Sequence, residues 1–157
     1  MRNTKNLSQG FFNPRNPHKY DGNHTNIVFR SSWEMAVMKW CDLNPSVLSW
    51  SSEEIIVPYY FDVDEKWHRY FVDFKVKIRT ASHGDVIYLI EVKPYDQVQR
   101  PKEAKARTQK ARARYQSECE EWIKNQKKWE AATQYAQERG WKFQVLTERE
   151  LFPGGKK

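Results

Sequence analysis

The stretch VIYLIEVK, residues 86–93, is the strongest indicator of the fold class, because it is a mostly apolar run that is followed by a proline. Successive side chains of a strand point to opposite faces, so the run predicts a strand with one wholly apolar face. The other face ends with Glu91 and Lys93. Charge buried on a strand costs several kcal/mol unless it is paired or binds a metal. These two residues therefore need a chemical explanation.

The preceding stretch HRYFVDFKVKI, residues 68–78, alternates cleanly and predicts one continuous strand. One of its faces carries Tyr70, Val72, Phe74, Val76 and Ile78. Asp73 lies on the opposite, charged face. The turn SHGD, residues 82–85, predicts that the two strands form an antiparallel pair. If the register allows, the pairing brings Asp73 beside Glu91 at one sheet edge.

Further elements precede this pair. SSWEMAVMKWCDLNP, residues 31–45, predicts a helix with Ser31 as its N-cap. Its apolar stripe comprises Trp33, Val37, Trp40 and Cys41. VLSW, residues 47–50, predicts a short extended piece, and EEIIVPYYF, residues 53–61, predicts a strand that is edged or interrupted by Pro58.

A long helical stretch follows the pair. It runs from Pro101 to about Arg139 and is ended by Gly140. This length is unusual for one helix, which suggests two helices or a kink. WKFQVL, residues 141–146, predicts a last strand, and TEREL, residues 147–151, predicts a short helix. That helix has the capping-box residues Thr147 and Glu150.

The order of elements predicts one α/β domain over residues 31–152, with an N-terminal arm over 1–30 and a flexible tail over 153–157. Aromatic and basic residues interleave in the arm. Two interpretations stay open for it: an arm packed on the domain, or an arm that contacts DNA or a neighbouring subunit. The packing interpretation uses Phe11, Phe12 and Tyr20.

Composition narrows the class of protein. The chain has 157 residues and a net charge of +7, which favours an anionic partner, nucleic acid first. Two cysteines are too few for a disulfide framework or a cysteine zinc site. The sequence shows neither a membrane-spanning apolar run nor a secretory signal, so we expect a soluble protein made in the cytoplasm. The absence of a Gly-rich phosphate loop argues against a nucleotide cofactor.

Asp73, Glu91 and Lys93 together suggest phosphodiester hydrolysis. Two carboxylates can hold Mg²⁺, which prefers oxygen ligands. The metal lowers the pKa of a bound water, and Lys93 can orient that water or stabilise the developing charge. The alternative is a surface ion pair between Lys93 and either acid, worth about 0–1 kcal/mol.

Glu34 is a possible third carboxylate of this site. Its spacing from Ser31 also fits a capping box, which is a sufficient structural explanation. Substrate contacts are expected just past Lys93 and on the basic first half of the long helix, although that half is equally well explained as a solvated face. The candidates are Gln97, Lys75, Arg100, Lys105, Arg107, Lys110, Arg112 and Arg114.

Several motifs resemble a known superfamily. VDF and IEVKP, preceded by RSSWE and WSSEEIIVPY and followed by FQVLTEREL, resemble the PD-(D/E)xK nucleases, and the nearest branch is the TnsA-like endonucleases. With FFNPRNPHKYDGN included, the chain from about Gly10 to Leu151 is similar to the head completion nucleases of T-even-type tailed phages. Val72 stands where the superfamily name has proline.

The resemblance implies a restriction-endonuclease-like core, a small mixed sheet flanked by helices with a long basic helical segment before the last strand. It also implies Mg²⁺-dependent cleavage of double-stranded DNA, with Mn²⁺ as a substitute. Glu34 then corresponds to the acid of the first helix, and Asp73, Glu91 and Lys93 to the motif residues. Asp73, Glu91 and Glu34 are the implied metal ligands.

The implied setting is phage head completion. The partners would be capsid, portal or other head-completion proteins, and the protein would act in the host cytoplasm during assembly and remain with the virion. Two alternatives stay open. One is a structural head-completion protein with a vestigial nuclease site, and the other is a transposition or repair endonuclease of the same fold.

Overall fold

The computed structural model describes residues 9–103 and 108–153 of the chain. Within these residues the strands are β1 (Gly10–Phe11), β2 (Val28–Phe29), β3 (Val47–Ser52), β4 (Ile56–Phe61), β5 (Lys66–Phe71), β6 (Phe74–Thr80), β7 (Gly84–Val92) and β8 (Lys142–Leu146). The helices are α1 (Ser32–Leu43), α2 (Tyr95–Val98), α3 (Gln109–Glu138) and α4 (Glu148–Leu151), with a 3-10 turn at Pro17–Lys19.

The central sheet has the strand order β3-β6-β7-β8. Strand β6 is antiparallel to both neighbours, whereas β8 runs parallel to β7 after the crossover through α3. One face packs under α1 around Met38 and Phe74, and the other packs under α3 around Leu89 and Trp129. The predicted antiparallel pair, the mixed sheet and the long helix before the last strand are confirmed.

A β-bulge separates the central sheet from a two-stranded ribbon formed by β4 and β5. The flanking pairs are Ser52 with Phe74 and Ile56 with Phe71. Between them, residues 53–55 oppose residues 72–73, so one strand carries an extra residue. The Glu53 backbone N–H donates to the Asp73 carbonyl at 3.1 Å, and Glu53 has a left-handed φ of 57°. An extra residue bends a strand and increases its twist, so the ribbon turns away from the sheet here.

The bulge corrects the prediction of one strand over residues 68–78. Strand β5 ends at Phe71, and β6 begins at Phe74. Tyr70 and Val72 pack with the α3 side of the core, whereas Phe74 packs with the α1 side. The alternation of buried residues survives the bend, but the ribbon and the sheet present the same face to different helices.

Helix α3 is a single helix of 30 residues that begins at Gln109, with the Thr108 hydroxyl accepting from the Ala111 N–H at 3.0 Å. The predicted start at Pro101 is therefore wrong, and the helix is not divided. Gly140, with a φ of 75°, follows its C-terminus as predicted. The buried residues all lie in its second half: Asn125, Trp129, Ala132 and Ala136. The first half therefore gains less from tertiary packing.

Helix α1 has the predicted Ser31 cap and ends before Asn44 as expected. Its apolar stripe was partly wrong, because Trp40 is 45% exposed and Met38 is fully buried. Apolar residues occupy every position from Met35 to Met38, so periodicity alone did not fix which of them faces the sheet.

The N-terminal segment packs on the domain from residue 9 onward. The buried carboxylate of Asp42 accepts hydrogen bonds from the backbone N–H groups of Arg15, at 2.8 Å, and Asn16, at 2.9 Å. Phe12 and Tyr20 make edge contacts with Trp50, whereas Phe11 is 67% exposed. The boundary between arm and domain stays a prediction.

Helix α4 follows β8 at the C-terminal end of the domain. The Thr147 backbone N–H donates to Glu150 Oε1 at 2.7 Å, and the Thr147 side chain in turn accepts from the backbone of the first turn. Both halves of the predicted capping box are therefore present. Glu148 Oε1 accepts from the Tyr95 N–H at 2.8 Å, which ties α4 to the segment after β7. No helix in the described ranges is both long and apolar enough to cross a membrane.

Candidate active site

Asp73 and Glu91 lie side by side where the bulge meets the central sheet. Phe74 pairs with Ile90 in the β6–β7 register, so the residue before Phe74 falls opposite Glu91. Asp73 Oδ2 accepts a hydrogen bond from the Val92 N–H at 2.8 Å. The bend at the bulge and this bond direct the half-buried carboxylate across the neighbouring strand.

Glu91 is buried, with 7% of its surface exposed. The Tyr70 hydroxyl, which belongs to the ribbon, donates a hydrogen bond to Glu91 Oε1. The Lys93 ammonium lies 3.7 Å from the other carboxylate oxygen, Oε2. Lys93 is itself held in place by its backbone N–H, which donates to the Leu146 carbonyl on β8 at 3.0 Å. Tyr70 and Lys93, which come from different parts of the fold, therefore each orient one oxygen of Glu91.

The two carboxylates share a buried region, and burial disfavours the charged form of both. Burial raises the pKa of Asp73 well above its ordinary value, and the negative charge of Glu91 raises it further. Burial also raises the pKa of Glu91, while the Tyr70 hydrogen bond and Lys93 act in the opposite direction. A cation placed between them would relieve the repulsion and the desolvation cost.

Glu34 stabilises the start of α1 but does not form the predicted capping box, because its carboxylate accepts from the Arg30 N–H and not from the Ser31 N–H. Its role as a third carboxylate of the site stays a prediction. Its backbone N–H donates to the Ser31 hydroxyl at 3.1 Å, and its Oε1 accepts from the Arg30 N–H at 2.8 Å, so it stabilises the start of α1. Burial raises its pKa. Its charge also raises the pKa of both Asp73 and Glu91. The three carboxylates therefore act on one another electrostatically.

The residues fit a hard divalent cation by the chemistry of their donors. All three carboxylates offer oxygen ligands, the type that Mg²⁺ prefers, and burial is the main cause that raises the pKa of each. Within the described parts of the chain, no three His, Cys, Asp or Glu side chains are already gathered as a ready metal-binding group. Rotation of flexible carboxylate side chains would be needed to complete one.

The predicted substrate contacts are dispersed. Gln97 is exposed on α2, and Lys75 lies 5.0 Å from the Trp141 ring centroid. Arg100 lies over the Trp122 ring at 5.8 Å. The basic residues of the first turns of α3 are exposed: Lys110, Arg112 and Arg114. Lys105 and Arg107 lie outside the described residues.

Two residues near the carboxylates were missed by sequence reasoning. Tyr70 was placed on the same strand face as Phe74, and its approach to Glu91 was missed because the bulge was not recognised. Lys128, from the second half of α3, lies with its Nζ 5.6 Å from the Tyr70 ring centroid. Burial lowers the pKa of Lys128, and Glu91 acts in the opposite direction. The sequence offered one signal for Lys128, which is its position next to Trp129, a residue of the core.

Comparison with known proteins gives the family. The TnsA-like endonuclease N-terminal family matches residues 44–148. The chain belongs to the TnsA-like endonuclease family. By family it is therefore a nuclease. The matched range of this TnsA-like chain contains Asp73, Glu91, Lys93 and Lys128, whereas Glu34 lies before it.

A curated relative extends the similarity over most of the chain. The head completion nuclease of Enterobacteria phage T4 is 36% identical over 135 residues, which cover 86% of this TnsA-like chain and 87% of the relative.

Proposed function

We propose that this protein is a divalent-metal-dependent endonuclease that cleaves double-stranded DNA during phage head completion. The observation that carries the proposal is the juxtaposition of Asp73 and Glu91 with Lys93 at one rim of the sheet. Neither a solvated strand face nor a surface ion pair requires Glu91 to be buried beside a second carboxylate.

Asp73 and Glu91, with Glu34 as a third donor, would hold the metal, Mg²⁺ first and Mn²⁺ as a substitute. When bound, such an ion lowers the pKa of a coordinated water and offsets charge on the phosphate. Lys93 orients the attacking water or donates to a phosphate oxygen as negative charge develops there. Glu91 keeps its orientation because Tyr70 and Lys93 hold its two oxygens.

The setting follows from the relative in phage T4, a head completion nuclease that aligns with 86% of the chain. The proposed partners are double-stranded DNA and the capsid, portal or other head-completion proteins. We propose that the protein acts in the host cytoplasm during assembly and stays with the virion. The net charge of +7 favours the polyanionic substrate.

Plasmid cleavage tests the catalytic assignment. The unaltered protein, Asp73→Asn, Lys93→Met and Asp85→Asn are compared with Mg²⁺, with Mn²⁺ and with EDTA. Asp85 is the matched control, because it sits on the same β6–β7 pair at the far end and contacts Arg79 instead. Cleavage should require the metal, persist in Asp85→Asn and fall by at least about 100-fold in the other two variants.

Equal cleavage in all four proteins would overturn the assignment of these residues. Absence of cleavage by the unaltered protein under every metal condition would favour the structural head-completion protein with a vestigial site. Cleavage only at defined end sequences would favour the transposition or repair endonuclease.

A further inference from the structure

We propose that Lys128 binds a substrate phosphate at the same rim, as a second ammonium beside Lys93. This inference rests on the proposed nuclease function and deepens it, because it assigns a DNA-contacting residue that comes from α3 and from outside the strand motif. The added DNA contact at the site would then come from Lys128 alone, where α3 approaches the ribbon.

The position of Lys128 is fixed by its neighbours. The next residue, Trp129, is buried in the core between α3 and the ribbon, and Ala132 and Ala136 are fully buried on the same side of the helix. Small side chains let the helix approach the sheet closely. The backbone at Lys128 is therefore held by core packing, and its ammonium lies over the Tyr70 ring.

Its ammonium lies near Glu91. Lys128 Nζ lies 5.6 Å from the centroid of the Tyr70 ring, and the hydroxyl of that ring donates to Glu91. The charges of Glu91 and Lys128 act on each other, and Lys93 also acts on Lys128. Lys93 and Lys128 therefore both lie near Glu91, from two different elements.

The ammonium is available for an anion. Among the described residues Lys128 forms no ion pair, whereas its neighbour Lys127 pairs with Asp62 at 3.5 Å. A phosphodiester that enters a site with three carboxylates meets repulsion, which a second fixed cation offsets. The competing explanation is that Lys128 only covers an aromatic ring.

Lys124 provides a matched control for that explanation. It lies one turn earlier on α3, and its Nζ lies 5.4 Å from the centroid of the Phe61 ring on the same ribbon. It therefore makes the same kind of cation–ring contact away from Glu91. If ring coverage were the whole role, Lys124→Met and Lys128→Met would behave alike.

The first experiment measures binding of a short duplex in EDTA, where no cleavage occurs, between about 50 and 200 mM salt. Lys128→Met should weaken binding and reduce the slope of log affinity against log salt by about 1, as expected for one lost phosphate contact. Lys124→Met should keep the slope, and Lys128→Arg should restore it. Equal slopes for Lys128→Met and the unaltered protein would overturn the proposal, as would equal losses in both Met variants.

The second experiment measures cleavage with Mg²⁺ beside Asp73→Asn. Lys128→Met should cleave at least about tenfold more slowly with an unchanged melting temperature. If Asp73→Asn is inactive but Lys128→Met cleaves as Lys124→Met does, this inference fails while the proposed function stands. If the unaltered protein does not cleave, both fail.

Discussion

The Tyr70 hydroxyl of the β4–β5 ribbon donates a hydrogen bond to Oε1 of Glu91 on the central sheet. The ribbon and the sheet are joined by the bulge at residues 53–55, so this bond crosses a bend in the structure. Its effect is to hold one oxygen of Glu91, while Lys93 lies near the other at 3.7 Å. Tyr70 is thus a positioning residue for the candidate site.

Replacing Tyr70 by phenylalanine should impair the site while preserving the ring that packs in the core. Groups that orient metal-binding carboxylates typically contribute about 10- to 100-fold to metal affinity or activity, and we expect a loss of cleavage in that range. The measurement is kcat and the Mg²⁺ concentration for half-maximal cleavage. Tyr59→Phe on the adjacent strand is the control, since Tyr59 stacks on His68 instead. An unchanged Mg²⁺ requirement in Tyr70→Phe would contradict the positioning role.

Neutralising Asp73 should stabilise the metal-free protein. The pKa of Asp73 is raised in the folded state, so the native protein binds more protons than the unfolded chain, and stability falls as the pH rises from the ordinary value of 3.8 through the raised pKa. Asp73→Asn removes this loss of stability, which amounts to about 1.4 kcal/mol for each pH unit by which the pKa is raised. Its amide oxygen can still accept from the Val92 N–H.

Thermal unfolding in EDTA from pH 4.5 to pH 8 measures the effect. The melting temperature of Asp73→Asn should exceed that of the unaltered protein by a margin that grows with pH and then levels off. Asp85→Asn, an exposed carboxylate on β7, should show no such margin. A pH-independent difference, or a less stable Asp73→Asn at neutral pH, would show that the charged carboxylate of Asp73 does not destabilise the folded protein.

Gly140 should be required for its backbone conformation. Its φ of 75° lies in the left-handed region, and a Cβ at this position would meet no atom within 4 Å. Gly140→Ala should therefore cost about 1 kcal/mol through the backbone alone, and Gly140→Asn should cost less, because asparagine tolerates this region. Urea unfolding measures both. Equal costs for the two variants would point to a steric cause instead.

The sequence predicted the strand pair and its charged residues because alternation is a local property. Glu91 and Lys93 share a face by their spacing, and the short turn before β7 predicts the antiparallel pairing. The register that puts Asp73 opposite Glu91 came from the structure. The capping box of α4 was equally local. These features needed no knowledge of distant contacts.

The bulge could not be predicted in the same way. It depends on the pairing of residues 53–55 with 72–73, and no local sequence pattern predicts that Glu53 adopts a positive φ. Missing it hid the approach of Tyr70 to Glu91. Lys128 was hidden for a similar reason, because it reaches the site only through the packing of Trp129 under the ribbon.

Direct measurement of divalent-cation binding tests the central claim, that Asp73 and Glu91 belong to one metal site. Titration calorimetry with Mn²⁺ is performed on the unaltered protein, Asp73→Asn, Glu91→Gln and the control Asp85→Asn. A metal site shared by Asp73 and Glu91 predicts saturable binding in the unaltered protein and in Asp85→Asn, and loss of that binding in each of the other two variants. The same Mn²⁺ affinity in all four proteins would contradict it.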